Sequence, residues 1–235
     1  MKLFRGFRQQ LIHEKNIKKY LLYAIGEILL VMIGITLAFQ VDNWNEDRVK
    51  KIAEIRTYKN IREQINGDKE LIKNQIDYNN RYMVQFEYAK EIIFTNDRSK
   101  IDTLGAIAAK LTKYSDFDRK GNIYETMVNS GEIQLLQNQS IINRIRWLEE
   151  RYNYINRMEN IHYDIVIGYA APSITKTVNF VTAEVIEPEQ IYSVEFQNLT
   201  QLLLQVMIEK DEIYESGITE IDEILALIDI ELKDN

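Results

Sequence analysis

The chain has no cysteine among its 235 residues, so disulfide bonds, thiolate metal sites and cysteine nucleophiles are excluded. It has only two prolines and nine glycines, while 28% of its residues are charged. A charged chain with few helix-breaking residues favours long helices over a turn-rich β fold. The sequence therefore predicts an all-α protein.

The chain also has no excess of basic residues, and its formal net charge is −7. A nucleic-acid-binding protein would carry a basic face, so we expect no nucleic-acid partner. The sequence has no glycine-rich phosphate loop, H-E-x-x-H, G-x-S-x-G or EF-hand pattern. Its two histidines, His13 and His162, lie on opposite sides of the membrane span predicted below. We therefore expect no enzyme activity, catalytic residue, cofactor, metal site or evident small-molecule substrate.

One long apolar run is present at residues 20–41, where Glu27 is the only formal charge. As a helix rising about 1.5 Å per residue, this run reaches roughly 33 Å, enough to cross a hydrocarbon core of about 30 Å. A cleaved signal peptide is the alternative, but the run exceeds the usual apolar region of about 7–15 residues and contains a carboxylate. We predict a transmembrane helix over residues 20–41, followed by a helical domain over residues 42–235.

The head, residues 1–19, carries six basic residues against one acid, Glu14. Phe4, Phe7 and Leu11 share one face at helical spacing. The head is either a basic amphipathic helix on an anionic membrane surface or a flexible basic tail that only sets topology. A short basic head stays in the cytoplasm, whereas long C-terminal domains translocate largely regardless of charge. The sequence thus predicts a cytoplasmic N-terminus and an extracytoplasmic domain.

One face of the predicted span carries Glu27, Gly34 and Ala38, aligned with Tyr20 and Tyr23 at helical spacing. Small residues let helices approach closely in lipid, and a carboxylate there requires a partner. Glu27 is either a proton or cation relay, or a polar clamp that holds an oligomer or a neighbouring membrane protein together.

Trp44 follows the span and is predicted, with Tyr20 and Tyr23 at the other end, to anchor the helix at the membrane interfaces. No glycine or proline interrupts the chain directly after the span. We therefore predict that the helix continues into the domain as a rigid stalk.

Residues 23–35 (YAIGEILLVMIGI) and 40–46 (QVDNWNE) resemble the N-terminal signature of an uncharacterised family of small inner-membrane proteins from Bacteroidota. Residues 124–136 (YETMVNSGEIQLL) resemble the internal Tyr/Leu…Ser-Gly…Leu motif of the same family. The resemblance implies bacterial origin, anchoring in the inner membrane and a helical periplasmic domain. It supplies neither an activity nor site residues.

In the domain, apolar residues at 3–4 spacing predict one helix over residues 47–94, or two that meet near Gly67. Asp102 or Thr103 is predicted to cap the next short helix, and Gly131 to close a third. Residues 178–186 are β-prone and are interpreted as an extended crossover or a small edge element.

Two longer helices complete the domain. Asn138 or Ser140 is predicted to cap one that breaks at residues 170–172, with His162 as a satisfied core side chain. Pro188 is predicted to open the last helix, with a kink or break at Ser216-Gly217 and Thr219 as a possible cap. Their apolar stripes favour an intramolecular core over a coiled-coil contact.

Two functional hypotheses follow from these features. The first is a membrane-anchored structural or interaction module that assembles with itself or with a membrane partner. The alternative is an accessory subunit of an ion-coupled transport or energy-transducing complex, in which Glu27 is an intramembrane proton site. The alternative rests on analogy of layout.

Overall fold

The computed structural model describes residues 17–119 and 121–233, and every regular element in these ranges is helical. The all-α prediction is therefore confirmed. Residues 1–16 of the predicted basic head lie outside the described residues. The helices, numbered in chain order, are α1 Ile17–Phe94, α2 Ile101–Ala108, α3 Ile123–Ser130, α4 Gln139–Ile165, α5 Ala171–Thr177, α6 Pro188–Ile191 and α7 Val194–Lys233. Short 3₁₀ turns cover Arg98–Lys100 and Glu132–Leu135, and a π-helical turn covers Val166–Ala170.

The chain divides into two units, Met1–Ala53 and Glu54–Asn235. In the first unit, α1 carries an apolar stretch that is long enough to cross a membrane, and none of that stretch is buried. α1 is one uninterrupted helix, so the helix does not break at Gly67. The alternative of two helices meeting there is wrong.

The second unit is built on the C-terminal part of α1 together with α4 and α7. Ion pairs from Arg62 to Asp229 and from Lys69 to Asp222 show that α7 runs antiparallel to this part of α1. Buried positions recur every seven residues on all three helices, the spacing of a helix-packing seam. They include Tyr58, Ile65, Ile72, Asn79, Phe86 and Ile93 on α1, Ile141, Leu148, Ile155 and His162 on α4, and Leu203, Lys210, Gly217 and Ile224 on α7.

The buried side chains form two apolar cores along the bundle. The first joins Tyr58–Ile72 of α1 to the first half of α4 and to the C-terminal half of α7. The second joins Phe86–Ile93 to α2, α5, α6 and the N-terminal half of α7. The stripes are thus covered within the chain, as the intramolecular interpretation predicted.

Several predicted helix ends are correct. Gly131 closes α3 with φ +77°, a conformation that favours glycine. The Asn138 side chain caps α4 by accepting hydrogen bonds from the amides of Ser140 and Ile141. The extended crossover is a turn closed by a single bridge between Val178 and Val185.

Other predicted ends of the early helices are wrong. Asp97, rather than Asp102 or Thr103, caps the helical turn before α2 by accepting a hydrogen bond from the Ser99 amide. α4 does not break at residues 170–172. It passes through the π turn directly into α5, and Pro172 lies in the first turn of α5.

The C-terminal helices also differ from the prediction. Pro188 opens the separate short helix α6, and α7 begins later, at Val194. α7 then runs through Ser216-Gly217 without a break, and Thr219 is not a cap. Gly217 is buried, and a Cβ there would lie 3.6 Å from Ile155 Cδ1 and 3.7 Å from Ile72 Cδ1. Both distances are ordinary van der Waals contacts, so Gly217 lies at the seam between α7 and the other two long helices, and the space there does not by itself require glycine.

Candidate functional site

The predicted intramembrane face lies on α1 in the first unit. Glu27 is partly buried, whereas Gly34 and Ala38 are exposed. Apart from its two chain neighbours and the nearby backbone of its own helix, no described atom would lie within 4 Å of a Cβ on Gly34. Trp44 is also exposed, and the side chains of Tyr20 and Tyr23 lie outside what the structure describes. That this face packs against protein, and that the aromatic residues anchor the span, stay predictions.

A second candidate site is a layer of buried polar side chains between the two apolar cores. It comprises Ser115, Glu159, His162, Lys210 and Tyr214, and each of these residues is at most 5% exposed. α4 supplies Glu159 and His162, α7 supplies Lys210 and Tyr214, and Ser115 belongs to the α2–α3 connection, residues 109–122. We call this set the polar layer.

Lys210 lies at the centre of the polar layer. Its Nζ donates a hydrogen bond of 2.5 Å to the carbonyl oxygen of Ser115 and lies 3.4 Å from Nδ1 of His162. Burial lowers the pKa of Lys210 to about 8, opposed by the negative charges of Glu159, Asp116 and Asp211. Lysine therefore stays largely charged at pH 7 and holds the α2–α3 connection against α7.

His162 is buried as predicted, but it is not fully satisfied. Because the lysine ammonium is only a donor, Nδ1 of His162 accepts and Nε2 carries the ring proton. Nε2 has no hydrogen-bond partner among the described residues. Burial, and secondarily the charge of Lys210, lower the pKa of His162 to about 3. The imidazole is therefore neutral at physiological pH.

Glu159 holds the same connection from α4. Its Oε1 accepts a 2.6 Å hydrogen bond from the Phe117 amide and another from the Tyr214 hydroxyl. Burial raises the pKa of Glu159, and the hydrogen bonds from Tyr214 and Phe117 oppose this shift. The Tyr214 hydroxyl lies 3.3 Å from Ser115 Oγ. The backbone at Ser115–Phe117 is thus hydrogen-bonded by side chains of both α4 and α7.

Farther along the α2–α3 connection, Glu149 of α4 binds the backbone in the way that Glu159 does at Phe117. Its Oε1 accepts a 3.0 Å hydrogen bond from the Ile123 amide at the start of α3, and its Oε2 pairs with Arg119 at 2.6 Å. Arg119 also stacks over the Tyr152 ring. The Tyr152 hydroxyl in turn donates a 3.0 Å hydrogen bond to Asp68 of α1. Buried polar side chains therefore hold this irregular connection against the long helices.

Chemically, this arrangement suits the specification of one structure. A polar residue at a single position of an apolar heptad seam fixes helix register at some cost in stability. Within residues 17–119 and 121–233, no group of three or more histidine and carboxylate side chains is placed to hold a metal ion. The predicted absence of catalytic and cofactor-binding residues stays a prediction.

Sequence reasoning missed Lys210, Glu159 and Ser115 as members of one cluster. A signal for Lys210 was present, because it lies seven residues after the apolar Leu203 and seven before Gly217 in the buried stripe of α7. A lysine in such a stripe indicates a buried partner. The partner itself, the carbonyl of Ser115, is 95 residues away in the sequence and carries no pattern of its own.

The pKa of His162 leads to a testable pH dependence. The folded-state pKa of about 3 lies below the ordinary 6.5, so the unfolded chain binds the proton first and stability falls as pH falls below about 6.5. Between pH 7 and pH 5 this group removes about 2 kcal/mol of stability. Asp211, whose pKa burial raises to about 6, acts in the opposite direction over the same range.

The substitution His162→Gln separates the contribution of His162 to the pH dependence from that of Asp211. Relative to the unsubstituted chain, we expect the variant to lose about 2 kcal/mol less stability between pH 7 and pH 5. The measurement is urea unfolding of the full chain in a nonionic detergent, followed by circular dichroism at both pH values. Equal losses in the two proteins would show that His162 does not titrate in this way.

Comparison with known proteins gives one match. The model of a family of unknown function, DUF6090, matches residues 27–210, which include most of the apolar stretch and the whole polar layer except Tyr214. Neither a curated protein nor a solved structure matches the chain.

Proposed function

The chain belongs to the DUF6090 family of unknown function, and from this premise we propose that it is a membrane-anchored interaction module. The apolar part of α1 spans the bacterial inner membrane with its N-terminus in the cytoplasm, and the helical unit that begins at Glu54 lies in the periplasm. The span assembles with a second copy or with another membrane protein.

The observation that carries this proposal is the exposure of the apolar stretch. From Ile28 to Phe39, every side chain of α1 is exposed. A contiguous apolar surface of this length is unfavourable in water, and its length matches the hydrocarbon core of a bilayer. The helical unit, in contrast, covers the apolar stripes of its long helices within itself.

The composition of the span supports an assembly role. Without a hydrophobic driving force in lipid, helices associate through small residues and polar contacts. Gly34 and Ala38 provide the small residues, and Glu27 provides a polar group on the same face. A carboxylate in a membrane helix is unfavourable against lipid and is expected to face protein or water.

Thiol labelling tests the proposed topology, because the natural chain has no cysteine. We expect a membrane-impermeant maleimide to label Val128→Cys, an exposed position on α3, as soon as the outer membrane is permeabilised. Gln9→Cys in the head should be labelled only after the inner membrane is opened. Val31→Cys, in the middle of the span, is the control and should resist labelling in both states. The reverse order of labelling for the first two positions would contradict the proposal.

The ion-coupled alternative rests on the analogy of layout given above, and one observation favours it: Glu27 is the single carboxylate of the apolar stretch. In that case Glu27 takes up and releases a proton during transport, as ionisable residues in membrane helices often do. The interaction module instead requires Glu27 only as a hydrogen-bonding group.

Glu27→Gln distinguishes the two functions, because glutamine retains hydrogen bonding but cannot titrate. For the interaction module, we expect the variant to complement a deletion strain, as the unsubstituted chain does. We also expect the co-isolation of two differently tagged copies, or of the membrane partner, to change by no more than about threefold, because polar contacts between membrane helices average about 0.6 kcal/mol. Retained co-isolation with a complete loss of complementation would instead support the proton site.

A further inference from the structure

The turn at residues 178–186 presents apolar side chains to solvent from a fixed backbone. Val181 is 94% exposed, Ile186 56% and Phe180 47%. Scattered exposed apolar residues are common on protein surfaces. Here, however, two of them are adjacent at the tip of one turn, and the third is close in sequence at its base.

Hydrogen bonds within the turn hold this tip in place. The Asn179 side chain accepts from the amides of Val181 at 2.9 Å and Thr182 at 3.3 Å. The Ala183 amide donates to the Asn179 carbonyl at 2.7 Å, and the Asn179 amide donates to the Glu184 carbonyl at 2.9 Å. Ala183 adopts φ +59°, which is unfavourable for a residue with a Cβ and persists only where surrounding structure enforces it.

Contact with α2 fixes the turn to the rest of the helical unit. A Cβ on Gly105 would collide with the Ala183 carbonyl oxygen and lie 2.9 Å from Val185 Cγ2. Only glycine therefore lets the turn pack this closely on α2. A turn that is fastened so closely and still leaves its apolar tip exposed is preorganised for contact with another molecule.

The charges around the tip indicate the chemistry of that molecule. Glu184 and Glu187 are exposed, and residues 178–187 contain these two glutamates and no lysine or arginine. Glu189, which follows, pairs with Arg98 at 3.0 Å and adds no uncompensated charge. The carboxylates of Glu184 and Glu187, called the collar below, are repelled by an anionic bilayer and attracted by a basic surface. A second copy of the described structure is a poor occupant for two reasons. Its apolar groove between α1 and α7, about 360 Å³, has Glu87 at its edge and no basic lining residue. The hollow at Phe94 does contain Lys90, but this lysine already pairs with Glu87 at 2.5 Å and shares the hollow with Glu91.

We propose that Phe180 and Val181, with the collar of Glu184 and Glu187, form a docking surface for a protein that presents an apolar pocket rimmed by lysine or arginine. This inference deepens the proposed function and rests on it, since it names the surface through which the helical unit takes part in the interaction. Apolar contact supplies affinity, and the collar supplies orientation and selectivity against lipid.

Photo-cross-linking tests the proposal in the full-length protein in its own membranes. Val181→Cys is labelled with a benzophenone maleimide after the outer membrane is permeabilised, and Val128→Cys, at an exposed valine on α3, is the matched control. We expect one discrete protein adduct from position 181 and none from position 128. The adduct should fall at least tenfold in Glu184→Lys/Glu187→Lys and persist in Glu184→Asp/Glu187→Asp. Mass spectrometry should place the cross-linked peptide next to basic residues of the partner.

Every other result overturns the inference. A lipid adduct, an adduct with a second copy, an adduct that survives charge reversal, or no adduct from a labelled thiol each excludes the proposed partner. If both thiols are labelled and position 181 gives no adduct, the docking surface fails while the periplasmic placement stands. If neither thiol is reached before the inner membrane is opened, the placement fails and the inference fails with it.

Discussion

Lys210→Ala is expected to lower the free energy of unfolding of the helical unit by about 3–5 kcal/mol at pH 7, the usual effect of removing one member of a buried charged network. The substitution leaves the Ser115 carbonyl without its donor and the buried Glu159 carboxylate without the nearby positive charge. Because natural domains are stable by about 5–15 kcal/mol, this is a large part of the total. The measurement is urea unfolding of the full chain in a nonionic detergent.

The matched control is Lys73→Ala, at an exposed lysine of α1 that pairs with Glu70 at 2.8 Å. Solvent and salt screen an exposed pair of this kind, so this variant should unfold almost as the unsubstituted chain does. A double variant, Lys210→Met with Glu159→Gln, should lose less than the sum of the single losses, because contacting residues are not additive. If Lys210→Ala and Lys73→Ala have similar effects, Lys210 does not have the proposed role in the polar layer.

Glu149→Ala is expected to have a comparable effect, about 3–5 kcal/mol, since it removes one half of a buried ion pair. The Arg119 guanidinium, which is largely buried, would lose its 2.6 Å partner, and the Ile123 amide would lose its acceptor at the start of α3. Urea unfolding of the full chain in detergent again measures the loss. Hydrogen exchange should in addition show faster exchange at Ile123 and Tyr124.

Two further variants distinguish the role of Glu149 from a general effect on α4. Glu149→Gln keeps an acceptor for the Ile123 amide and removes only the charge, so we expect a smaller loss than for alanine. Glu150→Ala, at the adjacent exposed position, should stay within about 0.5 kcal/mol of the unsubstituted chain. Equal losses for Glu149→Ala and Glu150→Ala would contradict the contacts described for Glu149.

The buried polar contacts of the helical unit, in the polar layer and next to it, give the fold a definite register. In an apolar seam, a helix displaced by one heptad still buries apolar residues, and many such alignments have similar energies. Lys210 meets the Ser115 carbonyl, and Asn79 donates a 2.6 Å hydrogen bond to Asp211, only in the observed alignment. A displaced alignment would bury these groups without partners, which is unfavourable by about 1–3 kcal/mol for each group.

The helical architecture was predictable because its determinants are local. Scarcity of proline and glycine, apolar residues at 3–4 spacing, the Asn138 cap and the left-handed Gly131 are all visible within a few residues of the elements they define. The same holds for the apolar stretch around Glu27, whose length and composition need no tertiary contact to be recognised.

What could not be predicted depends on contacts between distant segments. α4 is followed without a break by the π turn and by α5, which contains Pro172, and α7 continues through Gly217, which is buried beside Ile72 and Ile155. Local helix propensity favours a break at Pro172 and at Gly217. The helix nevertheless continues at both positions, and at Gly217 it is packed against the other long helices. The polar layer was missed for the same reason, because Lys210 acquires its meaning only next to Ser115.

The central claim is that the face of α1 that carries Glu27, Gly34 and Ala38 packs against protein inside the membrane. Benzophenone maleimide attached to a single cysteine tests it most directly, at Ala38→Cys on this face and at Thr36→Cys, which lies on the opposite face at nearly the same depth. After irradiation of native membranes, the account predicts a protein adduct from position 38 and only lipid adducts from position 36. Equal protein yields at both positions, or lipid adducts alone at both, would contradict it.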